Sequence, residues 1–243
     1  MSDLGGQAIN KVAEMGIKSQ LDEVETLEVE LETDPFKLMG GNVDSVTIHG
    51  EGMVMQHDLR IEEMDIHTNS VAINPFSAAF GKIELQHPTD AETHVVLNET
   101  DINRAFNSEF VRDKMQNLDV SVNGEIATVD THHINFGLPG DGKVLLSTDV
   151  ILQKSQEHKH VSFTAIPKIG ANGQQIVLDE VEYVNGEELS PELTEALLAQ
   201  ARELLDLRNF ELRGMSLRIK KLDAQKGKLV LESEAHIEQF PSS

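Results

Sequence analysis

Apolar and acidic residues alternate one for one in several stretches of this chain, and a period of two dictates strand rather than helix. Between Val24 and Glu32, Leu27, Val29 and Leu31 point one way while Glu28, Glu30 and Glu32 point the other. Near the C-terminus, Leu229, Leu231, Ala235 and Ile237 face inward and Glu232, Glu234, His236 and Glu238 outward. Each such strand offers one face to a core and the other to water. The question the chain sets is where the apolar faces go.

The remaining pattern is read from periodicity and punctuation. Ile9, Val12, Ala13 and Ile17 share one face of a helix over 7–20. Asp34-Pro35 ends the first strand, and Pro35–Met39 forms one helical turn. Strands are expected at 43–49, 52–57, 59–67, 83–86 and 91–97, with a short helical turn at Phe76–Phe80 after Asn74-Pro75. Asn98 or Thr100 caps a helix reaching about Met115, with a restart at Ser108. A meander follows at 118–122, 126–136, 143–152, 160–168 and 175–184, turning at Asn123-Gly124, Pro139–Gly142, Lys154–Lys159 and Asn172-Gly173. Ser190-Pro191-Glu192 starts a helix running to about Leu207. A hairpin of Met215–Leu222 and Leu229–Ile237 closes the chain. This order predicts an α+β fold with a long curved antiparallel β-sheet wrapped around helices. It reads as one domain over 1–243, with helices and curved sheet in 7–207 and the hairpin in 208–243.

Composition removes whole classes of function. The chain has 20 Lys+Arg against 42 Asp+Glu, a net charge of −22, with no Cys, no Trp and one Tyr. Thiolate metal sites, disulfides and a cysteine nucleophile are excluded. A nucleic-acid partner is not expected, because phosphate neutralisation needs a basic excess. No run long enough to span a bilayer as a helix occurs, and Met1–Gly6 lacks the features of a secretory signal, so a cytoplasmic address is expected. Residues 208–243 alone are mildly basic, with seven basic against five acidic residues. Arg218, Lys220 and Lys221 there suit either a peripheral membrane contact or an edge hairpin guarded by lysine, and the second reading is the better one.

Candidate chemistry is sparse. Gly137–Lys143 has the spacing of a phosphate loop, but Val144 stands where a hydroxyl is needed and a strand follows, so it is read as a hairpin turn. His132-His133 and His158/His160 are the tightest histidine groups; adjacent strand residues face opposite sides, and no helical His-x-x-x-His spacing supports a metal. Asp149 is expected to be solvated or paired across strands. No nucleophile elbow exists. The expectation is no catalytic residue, no metal and no cofactor: not an enzyme.

What remains is apolar. Val144, Leu146 and Val150 alternate with Leu145 and Ile151, so some strands carry apolar residues on both faces. A curved sheet built from them either closes on a packed core or lines a groove, and periodicity is the same for both.

The segments Val43–Gly52, Ser70–Leu85 and Asn98–Asn107 resemble the bacterial LmeA-like phospholipid-binding family, and the likeness runs from about residue 7 to residue 168. The resemblance implies a tubular lipid-binding type of fold and a phospholipid or fatty-acyl ligand; characterised members are exported and serve envelope lipid metabolism. With the two-faced strands, it implies that Phe76, Phe80, Ile83 and Leu85 line one end of an apolar groove. Phe106, Phe136, Leu146, Phe163, Leu193 and Leu197 would continue along it. The alternative is a scaffold with a fully packed core and an acidic partner-binding surface.

Overall fold

The structure is a computed structural model and describes residues 4–18, 21–54, 58–74, 76–77, 84–122, 125–184, 189–206, 208 and 214–239. Its helices are α1 (Leu4–Lys18), α2 (Pro35–Met39), α3 (Glu99–Phe106), α4 (Glu109–Lys114) and α5 (Pro191–Leu204). Its strands are β1 (Thr26–Glu32), β2 (Asn42–Val43), β3 (Ser45–Val54), β4 (Arg60–Thr68), β5 (Val71–Ala72), β6 (Thr89–Asn98) and β7 (Leu118–Val122). They continue as β8 (Glu125–Gly140), β9 (Lys143–Leu152), β10 (Glu157–Ile169), β11 (Ile176–Tyr183), β12 (Met215–Gln225) and β13 (Lys228–Ile237). A six-stranded sheet runs β1-β3-β4-β6-β13-β12, a five-stranded meander runs β11-β10-β9-β8-β7, and β2 pairs with β5. Every pairing is antiparallel, and the sheet is strongly curled into a half-barrel, as the α+β reading anticipates.

Local chemistry sets the boundaries. Asn98, Ser108 and Ser190 each cap a helix, accepting from the amides of Asp101, Val111 and Leu193. The restart expected at Ser108 is a true break, and the segment up to Met115 is two helices parted at Asn107–Ser108. The strands expected at 43–49 and 52–57 merge into β3 across Gly50 and Gly52, with residues 55–57 outside the described chain. Of the strand expected at 83–86, residues 84–86 hold a bridge between Leu85 and Ile73, and residue 83 lies outside the described chain. The Asn123-Gly124 turn lies outside the described residues. Gly140 and Lys143 pair across the Asp141-Gly142 turn, which confirms the hairpin over the phosphate loop.

The long strand β8 poses a problem of backbone satisfaction. It pairs with β7 only as far as Val129, yet Thr131, Ile134, Phe136 and Leu138 are all buried further on. Helices α3 and α4 answer it in place of a strand. Met115 O accepts from Thr131 N (3.0 Å), and Asn107 Nδ2 donates to Ile134 O (2.7 Å). Asn103 donates to Phe136 O (2.7 Å) and accepts from Phe136 N (2.8 Å), and Glu99 Oε2 accepts from Leu138 N (2.7 Å). Glu99, Asn103 and Asn107 are spaced i, i+4, i+8, so one face reads the edge of the strand.

The two sheets meet along β12. Ile219 N donates to Gly173 O (2.7 Å), and Gly227 N donates to Leu138 O (2.9 Å). Gly173 has φ +73, and a Cβ there would lie 2.6 Å from Arg218 Cγ. Gly142 has the same φ of +73 with nothing within 4 Å. Both alanine variants carry the strain of the left-handed region, about 1–3 kcal/mol, but only Gly173→Ala also pushes the sheets apart. Chemical denaturation should therefore rank Gly173→Ala clearly below Gly142→Ala in stability. Equal losses would show that the sheet junction tolerates displacement.

Candidate functional site

The inner faces enclose an apolar layer between the five-stranded sheet and the helices. One cluster gathers Ile102, Phe136, Leu138, Val144, Ala165, Leu178, Ala224 and Leu229, with Phe106, Leu146, Phe163, Leu198, Ala201 and Leu205 packed against it. A second gathers Val120, Val129, Val150, Val161, Leu189 and Leu193, joined by Leu197 and Phe163. A third, of Val111, Met115, Ile134 and Leu204, also touches Phe106, Leu146 and Leu197. Helix α5 carries the layer's lid. Only Leu193 and Leu204 on it are fully buried; Ala196, Leu197, Leu198 and Ala201 are half-buried, as is Leu205 just after it.

Six of the ten residues expected to line a groove meet in this layer: Phe106, Phe136, Leu146, Phe163, Leu193 and Leu197. Phe106 stacks on Phe136 with ring centroids 5.6 Å apart, and Phe163 meets Tyr183 edge-on at 6.4 Å. Leu85 belongs elsewhere, with Ala91, Ala235 and Ile237 on the six-stranded sheet. Phe76 lines nothing: it is 80% exposed, on a turn where Asn74 Oδ1 accepts its amide at 3.0 Å. Phe80 and Ile83 lie outside the described residues. The periodicity of α5 also points to Ala201 and Leu205, and alternation sets Val150 beside Leu146; Leu198 and Val129 emerge only from the structure, where Val129, Val150 and Val161 are nearly sealed from solvent.

The outer face is polar and self-compensating. Pairing lines up Glu28, His49, Asp65, His94, Glu232 and Lys221 in one row across six strands. His49 Nδ1 hydrogen-bonds Asp65 Oδ1 at 2.7 Å, and this bond raises the histidine above its usual pKa. His49, Glu63 and Asp65 place ligand atoms within 4.8 Å of one another, a group the sequence hides because it spans two strands. These side chains could hold a divalent cation; the hydrogen bond already satisfies two of them without one. His132 and His133 are both exposed, because a bulge with His133 at φ 52 breaks the alternation expected there. Asp149 pairs across strands with His160 at 2.9 Å, as expected. Lys220 pairs with Glu234 and Lys221 with Glu232, each at 2.7 Å, so much of the basic hairpin is neutralised at home. Two outer-face concavities of about 330 and 440 Å³ are walled mainly by such charged and polar groups, Asp90, Arg218 and His236 in one, Asp65, His67 and His94 in the other.

The model of the LmeA-like phospholipid-binding family matches residues 1–234, nearly the whole chain. The chain belongs to that family. No curated protein and no solved structure matches it. No helix among the described residues is long and apolar enough to cross a membrane.

Within this family member, α5 is fixed at both ends. At its start, the Tyr183 and Thr194 hydroxyls hydrogen-bond, and Thr194 donates to Ser190 O at 3.1 Å. At its end, buried Asp206 accepts from Gln175 Nε2 (2.7 Å) and Arg208 Nε (2.9 Å), and Ile176 N donates to Leu205 O (3.2 Å). The Arg208 guanidinium, with the Gln175 amide, holds the Asp206 carboxyl well below the usual carboxylate range. A lowered folded-state pKa contributes stability above the unfolded value, about 4, and that contribution is lost as pH falls below it. Thermal melts from pH 5 down to pH 2 should show a shallower acid loss for Asp206→Asn than for the unmodified chain. Parallel curves would mean that Asp206 is not coupled to folding.

Proposed function

We propose that the chain binds a phospholipid, or another ligand with a fatty-acyl chain, and carries it without altering it chemically. The acyl chain lies between α5 and strands β8 to β10. The observation that carries this reading is the half-buried apolar strip of α5 facing half-buried Leu146 and Phe163, on a helix whose ends are anchored. Such a strip is covered less fully than the valines of the sheet beneath it, which leaves apolar surface for an acyl chain. Membership of a phospholipid-binding family supplies the ligand class. Each methylene taken from water contributes about 0.8 kcal/mol, so one chain gives useful affinity without a charged clamp. The polar outer-face concavities suit an acyl chain poorly.

The second reading is a scaffold that presents its acidic face to a basic partner. The tight packing at Val129, Val150 and Val161, each at most 1% exposed, favours it.

Native mass spectrometry after gentle purification should find a co-purifying lipid, and delipidated protein should take up a fluorescent phospholipid. Ala201→Trp fills the strip and should cut that uptake about tenfold. A delipidated chain that takes up nothing would leave the scaffold.

A further inference from the structure

Among the described residues five large apolar side chains stand exposed, and three of them come from two segments that meet: Phe36 (85%), Met39 (80%) and Phe76 (80%). Single exposed apolar residues need no explanation, but a cluster does. Phe36 and Met39 are three apart on α2 and so share one face. Two residues beyond Met39, Gly41 O accepts the amide of Ile73 at 2.7 Å, and β2 pairs with β5. Phe76 follows three residues after Ile73, its amide held by Asn74. The backbone thus brings the two segments that carry these side chains to one corner of the fold.

The corner is apolar and carries no basic excess, since Lys37 is outnumbered by Asp34 and Asp44. Lys37 pairs with Asp44 at 2.7 Å, and Asp34 caps the amide of Phe36 at 2.8 Å. That matters in a chain with a net charge of −22, which an anionic surface repels. The corner also leads inward: Leu85, bridged to Ile73, packs on the cluster of Ala91, Ala235 and Ile237 on the inner face of the six-stranded sheet.

We infer that this corner docks on a zwitterionic phospholipid bilayer, with Phe36, Met39 and Phe76 entering the boundary between headgroups and acyl chains. The inference rests on the lipid-binding reading, which gives the protein a reason to visit a bilayer. Amphipathic segments that lie in this boundary bind through buried apolar area, not through charge, when the lipid is neutral. The basic hairpin is a poorer anchor, since Lys220 and Lys221 are tied to Glu234 and Glu232.

Flotation of the full chain with phosphatidylcholine vesicles tests this. The unmodified chain should float. The triple variant Phe36→Ser, Met39→Ser, Phe76→Ser should lose about tenfold or more in vesicle partitioning. Its uptake of a monomeric fluorescent fatty acid should be unchanged, because these exposed side chains lie outside the apolar layer. A triple variant that floats like the unmodified chain overturns the inference. So does an unmodified chain that takes up fatty acid but leaves vesicles alone, an outcome that spares the lipid-binding reading. Concentration-dependent self-association abolished by the same substitutions would make the corner an interface between copies and also overturns it. Loss of fatty-acid uptake in the unmodified chain instead strikes the lipid-binding reading.

Discussion

Strand β8 has a buried edge without a partner strand, and much of the architecture answers that fact. Thr131, Ile134, Phe136 and Leu138 present backbone groups that no strand takes on the β7 side. A buried unpaired amide or carbonyl costs about 1–3 kcal/mol, so a row of them would cancel much of a domain's stability. The side chains of Glu99, Asn103 and Asn107, with Met115 O, pair them from α3 and α4. That solution presses α3 onto the sheet, stacks Phe106 on Phe136, and places Ile102 in the same cluster.

Once α3 is seated, the apolar faces have defined neighbours. The six-stranded sheet turns its charged face outward, where rows of histidine, acid and lysine compensate one another. Its inner face shares a core with the five-stranded sheet through β12 and β13, where Ala224 and Leu229 join the cluster around Phe136. Helix α5 closes the remaining side. It is fastened by hydroxyls at one end and by Asp206 at the other, and is least buried in between.

Sequence carried much of this. Strict alternation in β1 and β13 named the inward residues correctly, and the caps at Asn98, Ser108 and Ser190 marked helix starts because capping is local chemistry. The family resemblance is borne out by the match over residues 1–234. What stayed hidden depends on pairing at long range. Nothing local says that Glu99, Asn103 and Asn107 will serve a strand some 30 residues on, or that His49 will meet Asp65. The bulge at His133 defeats the alternation rule because it needs a positive φ that the pattern does not announce. Phe76, expected in a groove from the family resemblance and the two-faced strands, stands in solvent: neither says which surface a side chain serves.

The proposed site places the acyl chain inside the apolar layer, under α5, away from the charged skin. The chain has one Tyr and no Trp, and that Tyr183 touches Phe163 and Thr194 at the edge of the layer. Its fluorescence is therefore a built-in probe. Delipidated protein titrated with a phospholipid brominated along its acyl chain should lose Tyr183 emission saturably, because bromine quenches on contact. Saturating binding of that lipid with Tyr183 emission unchanged would contradict a site beneath α5.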